Sequence, residues 1–257
     1  MDNITYKTED TLAVIMNLGK EMLMCGAEVN RVEDTISRLC TAYGFERADI
    51  FSITSLILVT VRDKENKNFT LSRRIASYVF NFYRLEELNA LSRTACASTP
   101  SPEDFQKMLD EIIMNSHFSK LLRFVGFILT SVGFCLLFKG SFTDAIISGI
   151  ISMFIFGADR FFHHFRLNSL MYNLVASFIA GICTFTSCAL FPSLQADKIM
   201  IGDIMLLIPG LILTNAIKDM IGGDIMAGFL RFCEAILTAI AIALGFWLSM
   251  IVMGVVK

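Results

Sequence analysis

Charge is scarce in the second half of this 257-residue sequence, and the motifs that usually announce catalysis are missing. Most of the 22 Lys+Arg and 24 Asp+Glu fall in residues 1–120, and residues 121–257 hold few of either. A water-soluble fold covers its whole outside with polar groups. Two regions with different solvents therefore explain the asymmetry better than one globular core. The seven cysteines (Cys25, Cys40, Cys96, Cys135, Cys183, Cys188 and Cys233) form no C-x-x-C pair. Several sit in apolar runs and read as small buried hydrophobes rather than disulfides or metal ligands. Histidine is limited to His117, His163 and His164, and no G-x-S-x-G, P-loop or H-E-x-x-H is present. No enzyme, metal site or cofactor is expected. The net charge of −2 lacks the basic surface that phosphate neutralisation needs, so no nucleic-acid partner is expected. The first residues are polar and contain no apolar signal-like run. A cleaved signal peptide is therefore not expected, and the N-terminus is expected in the cytoplasm.

What is present divides at about residue 118. The overall hydropathy is high, with a mean of +0.61 and 54% hydrophobic residues. In residues 1–118, an apolar stripe (Ile15, Leu18, Met22, Cys25, Val29, Val32, Ile36, Leu39) recurs every three or four positions and ends near Gly44. It predicts two stacked helices, or one helix with a close-packing point near Cys25-Gly26-Ala27. Residues 51–61 alternate with a period of two and predict a strand, blurred only at Ser55, Leu56 and Leu58. A polar stretch at 63–68 turns the chain into a second strand over 69–75. Leu85, Leu88, Leu91 and Ala95 mark another helix. Ser101 caps a further one, with Pro102 in its first position. The expected fold is a cytosolic α+β domain (1–118) followed by an all-α bundle of about five transmembrane helices (119–257).

A spanning helix needs about 20 mostly apolar residues. Residues 121–138, 143–162, 167–191, 199–217 and 235–256 meet this, the second weakened by Asp159-Arg160. With the N-terminus inside, Lys120, Arg123, Arg160, Arg166, Lys218 and Arg231 face the cytoplasm, against Lys139, Lys198 and Lys257 outside. This bias predicts a multi-pass protein of the cell (inner) membrane, N-in and C-out.

Several polar residues stand out against that background. Asp203 lies inside a span, where a carboxylate is costly unless protonated, paired or facing water. It sits only four residues in, so a wet interfacial position is the other reading. Ile208-Pro209-Gly210 removes a backbone donor and weakens the same helix, either as a packing kink or as a break that lines a cavity. Thr214 precedes Asn215 and Asp219, which lie one turn apart on a single face. Asp224 and Arg231 follow around a Gly-rich connection that reads as a solvated turn or as a gate. Asp159-Arg160 with His163-His164 reads as an interfacial ion pair or as a proton relay. In the N-terminal half, Glu28, Arg31, Glu33 and Asp34 crowd one turn and a half, as a solvated face or a docking face.

Two stretches carry a family resemblance. Residues 26–36, from Gly26-Ala27-Glu28 through Arg31-Val32-Glu33 to Ile36, resemble the GAE-x-x-RVE-x-x-I signature of the threonine/serine exporter (ThrE-type) family, and especially its short YjjP-like members. Residues 208–220 are similar to that family's PG-x-x-x-x-NA-x-x-D stretch, with Gly223-Asp224, Gly228 and Arg231 in similar positions. The resemblance implies a cytoplasmic N-terminal domain, five spans and export of small polar metabolites, whether threonine/serine or a dicarboxylate such as succinate. It also implies a hetero-complex with a separate small membrane protein resembling the second half of full-length members (YjjB-like). A homo-oligomer is a further option. The chain is thus expected to be an exporter subunit driven by an ion gradient. Pro209-Gly210 would open the helix, Thr214 and Asn215 would bind substrate, and Asp203 or Asp219 would carry the exchanging proton. The alternative is a membrane-anchored regulatory or scaffolding subunit whose partner holds the pathway.

Overall fold

A computed structural model describes residues 2–76, 78, 80–115, 119–164 and 168–255, with backbone alone at 2–7 and 162–164. The described residues form ten helices and three strands. His117, Arg166 and Lys257 lie outside the described residues, as do the side chains of His163 and His164 on which the relay reading rests. The chain divides into two compact units. One contains residues 1–117 and 213–232, the other 118–212 and 233–257.

In the first unit, α1 (Asp2–Met24) and α2 (Val29–Ala42) split the long apolar stripe at Gly26. Gly26 has φ +96°, and a Cβ there would lie 2.5 Å from Phe80, so only glycine fits. Its N–H donates to the Leu23 carbonyl and that of Ala27 to Met22, a Schellman closure of α1. Gly44, at φ +84°, ends α2 in the same way.

The expected single strand over 51–61 is two strands. β1 (Arg47–Ile53) and β2 (Leu56–Arg62) form a hairpin whose last pair is Ile53↔Leu56, so of the blurred positions Ser55 lies in the turn, while Leu56 and Leu58 belong to β2. β3 (Asn68–Arg74) completes an antiparallel sheet of order β1-β2-β3. The polar turn before β3 is fixed by Asp63, whose Oδ1 accepts the Glu65 and Lys67 N–H groups. Ile57, Val59 and Val61 of β2 are fully buried, with α1 packed against β2 and α2 against β1. α3 (Phe82–Ser98) and α4 (Pro102–Asn115) close the core through Leu88, Phe105 and Leu109. Ser101 Oγ accepts the Asp104 N–H, as expected of the cap.

The same unit contains most of α9 (Gly210–Ile221) and the start of α10 (Ile225–Val252). Gly223, at φ +101°, closes α9 with another Schellman pair, Asp224 N–H to Asp219 and Gly223 N–H to Met220. Ala227 of α10 joins the N-terminal core.

The second unit is built from α5 (Lys120–Leu137), α6 (Phe142–His164), α7 (Ser169–Leu190), α8 (Ala196–Leu207) and the rest of α10. Among the described residues, four helices (α5, α6, α7 and α10) are long and apolar enough to cross a membrane, and the bent pair α8 and α9 makes up to five. Helices satisfy their own backbone groups, which hydrocarbon cannot do. Leu121, Leu137, Phe154, Leu190 and Trp247 are exposed, as a lipid-facing surface requires. Small residues bring the helices close. A Cβ on Gly149 would lie 2.9 Å from Val132, and one on Gly181 would lie 2.7 Å from Ser249 Cβ. The α7–α8 connection is pinned by Asp144, fully buried, which accepts N–H groups from Ser141 at 2.8 Å and Gln195 at 2.9 Å.

Pro209 breaks the fourth expected span. Its missing N–H and the extended Ile208 (ψ 128°) end α8, and α9 starts at Gly210 after a 54° bend. α10 begins at Ile225, ten residues ahead of the expected start of the last span at 235. Arg231 sits inside the helix because it is paired and buried.

Candidate functional site

In the first unit, the two family-like stretches meet. Helix α2 begins with N–H groups that have no partner within the helix, and its N-cap residue Glu28 makes no side-chain cap. The first of these donors, the Val29 N–H, is taken instead by Asp219 Oδ1 at 3.1 Å, from a residue 190 positions later. A carboxylate at that end also meets the positive end of the helix dipole. Asp219 Oδ2 accepts from Arg231 Nη1 at 2.8 Å, with side chains 0% and 5% exposed. The other guanidinium nitrogen of Arg231 donates to the Ala27 carbonyl at 3.0 Å. Asn215 Nδ2 donates to the Gly26 carbonyl at 2.9 Å, and Asn30 Nδ2 to the Gly222 carbonyl at 2.9 Å. Lys218 and Glu28 add a half-exposed ion pair at 2.9 Å. The Gly26 and Ala27 carbonyls and the Val29 N–H of the elbow are thus satisfied by side chains of the α9–α10 hairpin.

The remaining candidates of this unit separate clearly. Thr214 is exposed on α9, away from buried Asn215 and Asp219. Arg31 is exposed on α2, and its carbonyl accepts the Thr35 hydroxyl. Glu33 accepts the Ser52 N–H at 2.6 Å, covering a donor on the edge strand β1. Asp224 precedes α10, and its Oδ2 is buried with no hydrogen-bond partner.

Burial holds the Glu33 carboxyl above the usual range, against the Ser52 N–H, and the Asp224 charge pushes the same way as burial. Raised affinity in the folded state means that ionising Glu33 costs the fold more than the unfolded chain. Its contribution is complete below the unfolded value and is lost as pH rises through the raised folded value. Glu33→Gln keeps an acceptor for Ser52 and removes that loss. The variant should match wild type in acid and exceed it at neutral pH, in denaturant unfolding followed against pH. Equal slopes for the two proteins would refute this. Cys25 and Cys40 are buried, and burial pushes their thiols up to about 11 and 12, which makes them packing groups rather than nucleophiles.

In the second unit, Asp203 on α8 is fully buried. Its Oδ1 accepts from Ser131 Oγ on α5 at 2.8 Å and from Ser148 Oγ on α6 at 3.2 Å. The two hydroxyls lie 2.5 Å apart, and Asp203 Oδ2 has no partner. Ser131 and Ser148 carry no motif, so sequence reasoning missed them. Their one trace is the recurrence of serine within apolar spans. Asp159 on α6 pairs with Arg123 on α5 at 3.0 Å, with side chains 12% and 51% exposed, a partner on another helix and not the adjacent Arg160 with which the sequence grouped it. Pro209 and Gly210 form the break itself. Asp203, one turn before the end of α8, and the Asn215–Asp219 pair belong to different units and make separate clusters. Among the described residues, no group of three His, Cys, Asp or Glu could hold a metal ion.

Comparison with known proteins adds the following. The model of the threonine/serine exporter family, ThrE, matches residues 13–253. The "Probable succinate transporter subunit YjjP" of Klebsiella aerogenes is 25% identical over 241 residues, covering 91% of this chain and 90% of that protein. The protein of the same name from Escherichia coli K12 is 25% identical over 259 residues, covering 96% and 98%. The "Threonine/serine exporter" of Corynebacterium glutamicum is 23% identical over 237 residues, covering 88% of this chain but 48% of its own length. The chain thus spans about half of that longer relative. No solved structure matches.

Proposed function

This multi-pass membrane chain belongs to the ThrE family of threonine/serine exporters, and from that premise we propose that it is the broken-helix subunit of a secondary exporter for small polar metabolites. The observation that carries the reading is the α8–α9 break at Pro209, flanked by a buried carboxylate without a basic partner. Spanning helices interrupted in this way leave backbone groups free for a solute, and they recur at transporter binding sites. The substrate is a small amino acid of the threonine/serine type or a small dicarboxylate, the two classes named in its relatives. Export is coupled to an ion gradient, since the sequence carries no nucleotide-binding motif. Pro209 and Gly210 open the helix. Asp203 is the exchanging carboxylate. Asp219 is committed to Arg231 and Val29, so it and Asn215 hold α9 to the elbow rather than exchange a proton. Residues 1–118 form the cytosolic domain, and the N-terminus lies inside.

The name "subunit" carried by the Klebsiella and Escherichia relatives supports a second membrane protein as partner. Transport in vesicles containing both chains tests the reading. Asp203→Asn and Asn215→Ala are each expected to lower flux several-fold, and undiminished flux in both discards these assignments. If the partner alone exports at the full rate, this chain is a regulatory or scaffolding subunit instead.

A further inference from the structure

Asp203 sits at the meeting of α5, α6 and α8, and the neighbouring backbone is shaped for it. Gly202 brings α8 so close that a Cβ there would lie 2.5 Å from Ser148 Oγ and 2.7 Å from the Ser131 carbonyl. That approach delivers the carboxylate onto a serine pair with no exposure to solvent. Each hydroxyl has one hydrogen to give. Ser131 donates to Asp203 Oδ1 at 2.8 Å, and Ser148 lies 2.5 Å from Ser131 Oγ and 3.2 Å from the same Oδ1. The 2.5 Å contact needs a hydrogen in it, so Ser148 gives its hydrogen to Ser131 Oγ and Ser131 gives its own to Oδ1, a chain that ends on one carboxylate oxygen and leaves the other bare.

A bare, buried carboxylate oxygen in an apolar helix bundle calls for a positive partner. No arginine or lysine pairs with it among the described residues. The ionisable neighbours are Cys135 on α5 and Cys183 on α7, neither of them a basic side chain, and Asp144 on α6, which is occupied by Ser141 and Gln195. A hard cation gathers about six oxygens. Here the Ser148 hydrogen is spent on Ser131 and the Ser131 hydrogen on Oδ1, and the 2.5 Å spacing of the two serine oxygens leaves no room for an ion between them.

We propose that Asp203, Ser131 and Ser148 form a buried proton-binding site, with the proton on Asp203 Oδ2 and the two serines as positioning residues that hold Oδ1. The site rests on the exporter reading for its use, though not for its existence. Protonation forms an O–H bond at Oδ2 and leaves the serine bonds in place. Release leaves a carboxylate that the serine donors stabilise, so the serines set how readily the proton leaves.

Infrared spectroscopy of the full chain in lipid nanodiscs tests this without any transport measurement. The expected result is a protonated-carboxyl C=O band that shifts on exchange into D2O and is absent from Asp203→Asn. If that variant fails to fold, Ser131→Ala and Ser148→Ala serve. Ser131→Ala removes the donor to the ionised form and Ser148→Ala the hydroxyl that supports that donor, so the band should persist to a pH higher by about one unit. The proposal is overturned if no such band is lost in Asp203→Asn, or if the serine variants leave its pH midpoint in place. It is also overturned if sodium removes the band at constant pH, which would make the nest a cation site. A band that behaves as expected while vesicle transport ignores Asp203 retains the site and removes only the exporter reading.

Discussion

Asp219→Asn is expected to destabilise the first unit by about 3–5 kcal/mol, among the largest effects a single polar substitution produces in this chain. The reason lies in what it leaves behind. Arg231 is 4% exposed, and its guanidinium would stay buried with one carbonyl, that of Ala27, and without the carboxylate it pairs with at 2.8 Å. The Val29 N–H at the start of α2 would also lose its charged acceptor. Arg231→Ala should cost a similar amount by stranding the Asp219 carboxylate instead. The double variant Asp219→Asn/Arg231→Met should cost clearly less than the two single costs added together, because neither charge is left alone. Denaturant unfolding of the purified chain, with proteolysis at the 26–30 elbow as a local readout, checks all three. Single substitutions within about 0.5 kcal/mol of wild type, the range of ordinary surface changes, would show that the pair contributes nothing.

Gly228→Val is expected to have the second largest effect, about 3 kcal/mol or more, by over-packing. A Cβ at Gly228 would lie 2.6 Å from the Ala216 carbonyl and 2.9 Å from the Met220 amide, both backbone atoms of α9. Backbone within a helix cannot rotate aside as a side chain does, so α9 and α10 must separate. Separation pulls Asn215 and Asp219 from the elbow they serve. Gly126→Ala is the control, because its methyl would meet nothing within 4 Å. Loss of the folded fraction in Gly228→Val but not in Gly126→Ala, read by fluorescence-detected gel filtration, is the expected pattern. Equal behaviour of the two would refute the close-approach argument.

Much of this architecture is legible where one physical rule acts alone. Helical periodicity with a glycine in the left-handed region places the α1–α2 elbow, and Pro209 places the break in the α8–α9 pair. Serine followed by proline and two acids fixes the start of α4. The hairpin between β1 and β2 is harder, because its turn, Thr54–Ser55, carries no glycine or proline and sits inside an apolar run. Long-range partners are not readable from spacing. The sequence places Asn215 and Asp219 on one face, but nothing local says that their acceptor and donor are Gly26 and Val29, some 190 positions away. Ser131 and Ser148 escape notice for a related reason. Serines in apolar helices usually bond to their own backbone, as Ser177 does to the Asn173 carbonyl. Only the packing of α5 and α6 onto α8 turns these two toward a carboxylate.

The elbow's dependence on residues 215–231 also bears on the order in which the chain is made. A ribosome releases the first 117 residues long before Asp219 and Arg231 exist. Until then the Val29 N–H and the carbonyls of Gly26 and Ala27 have only water as partner, and the core lacks Ala227. The N-terminal region must therefore wait, incompletely packed, for a late segment of the nascent polypeptide. A fragment cut after residue 117 would remain in that waiting condition permanently.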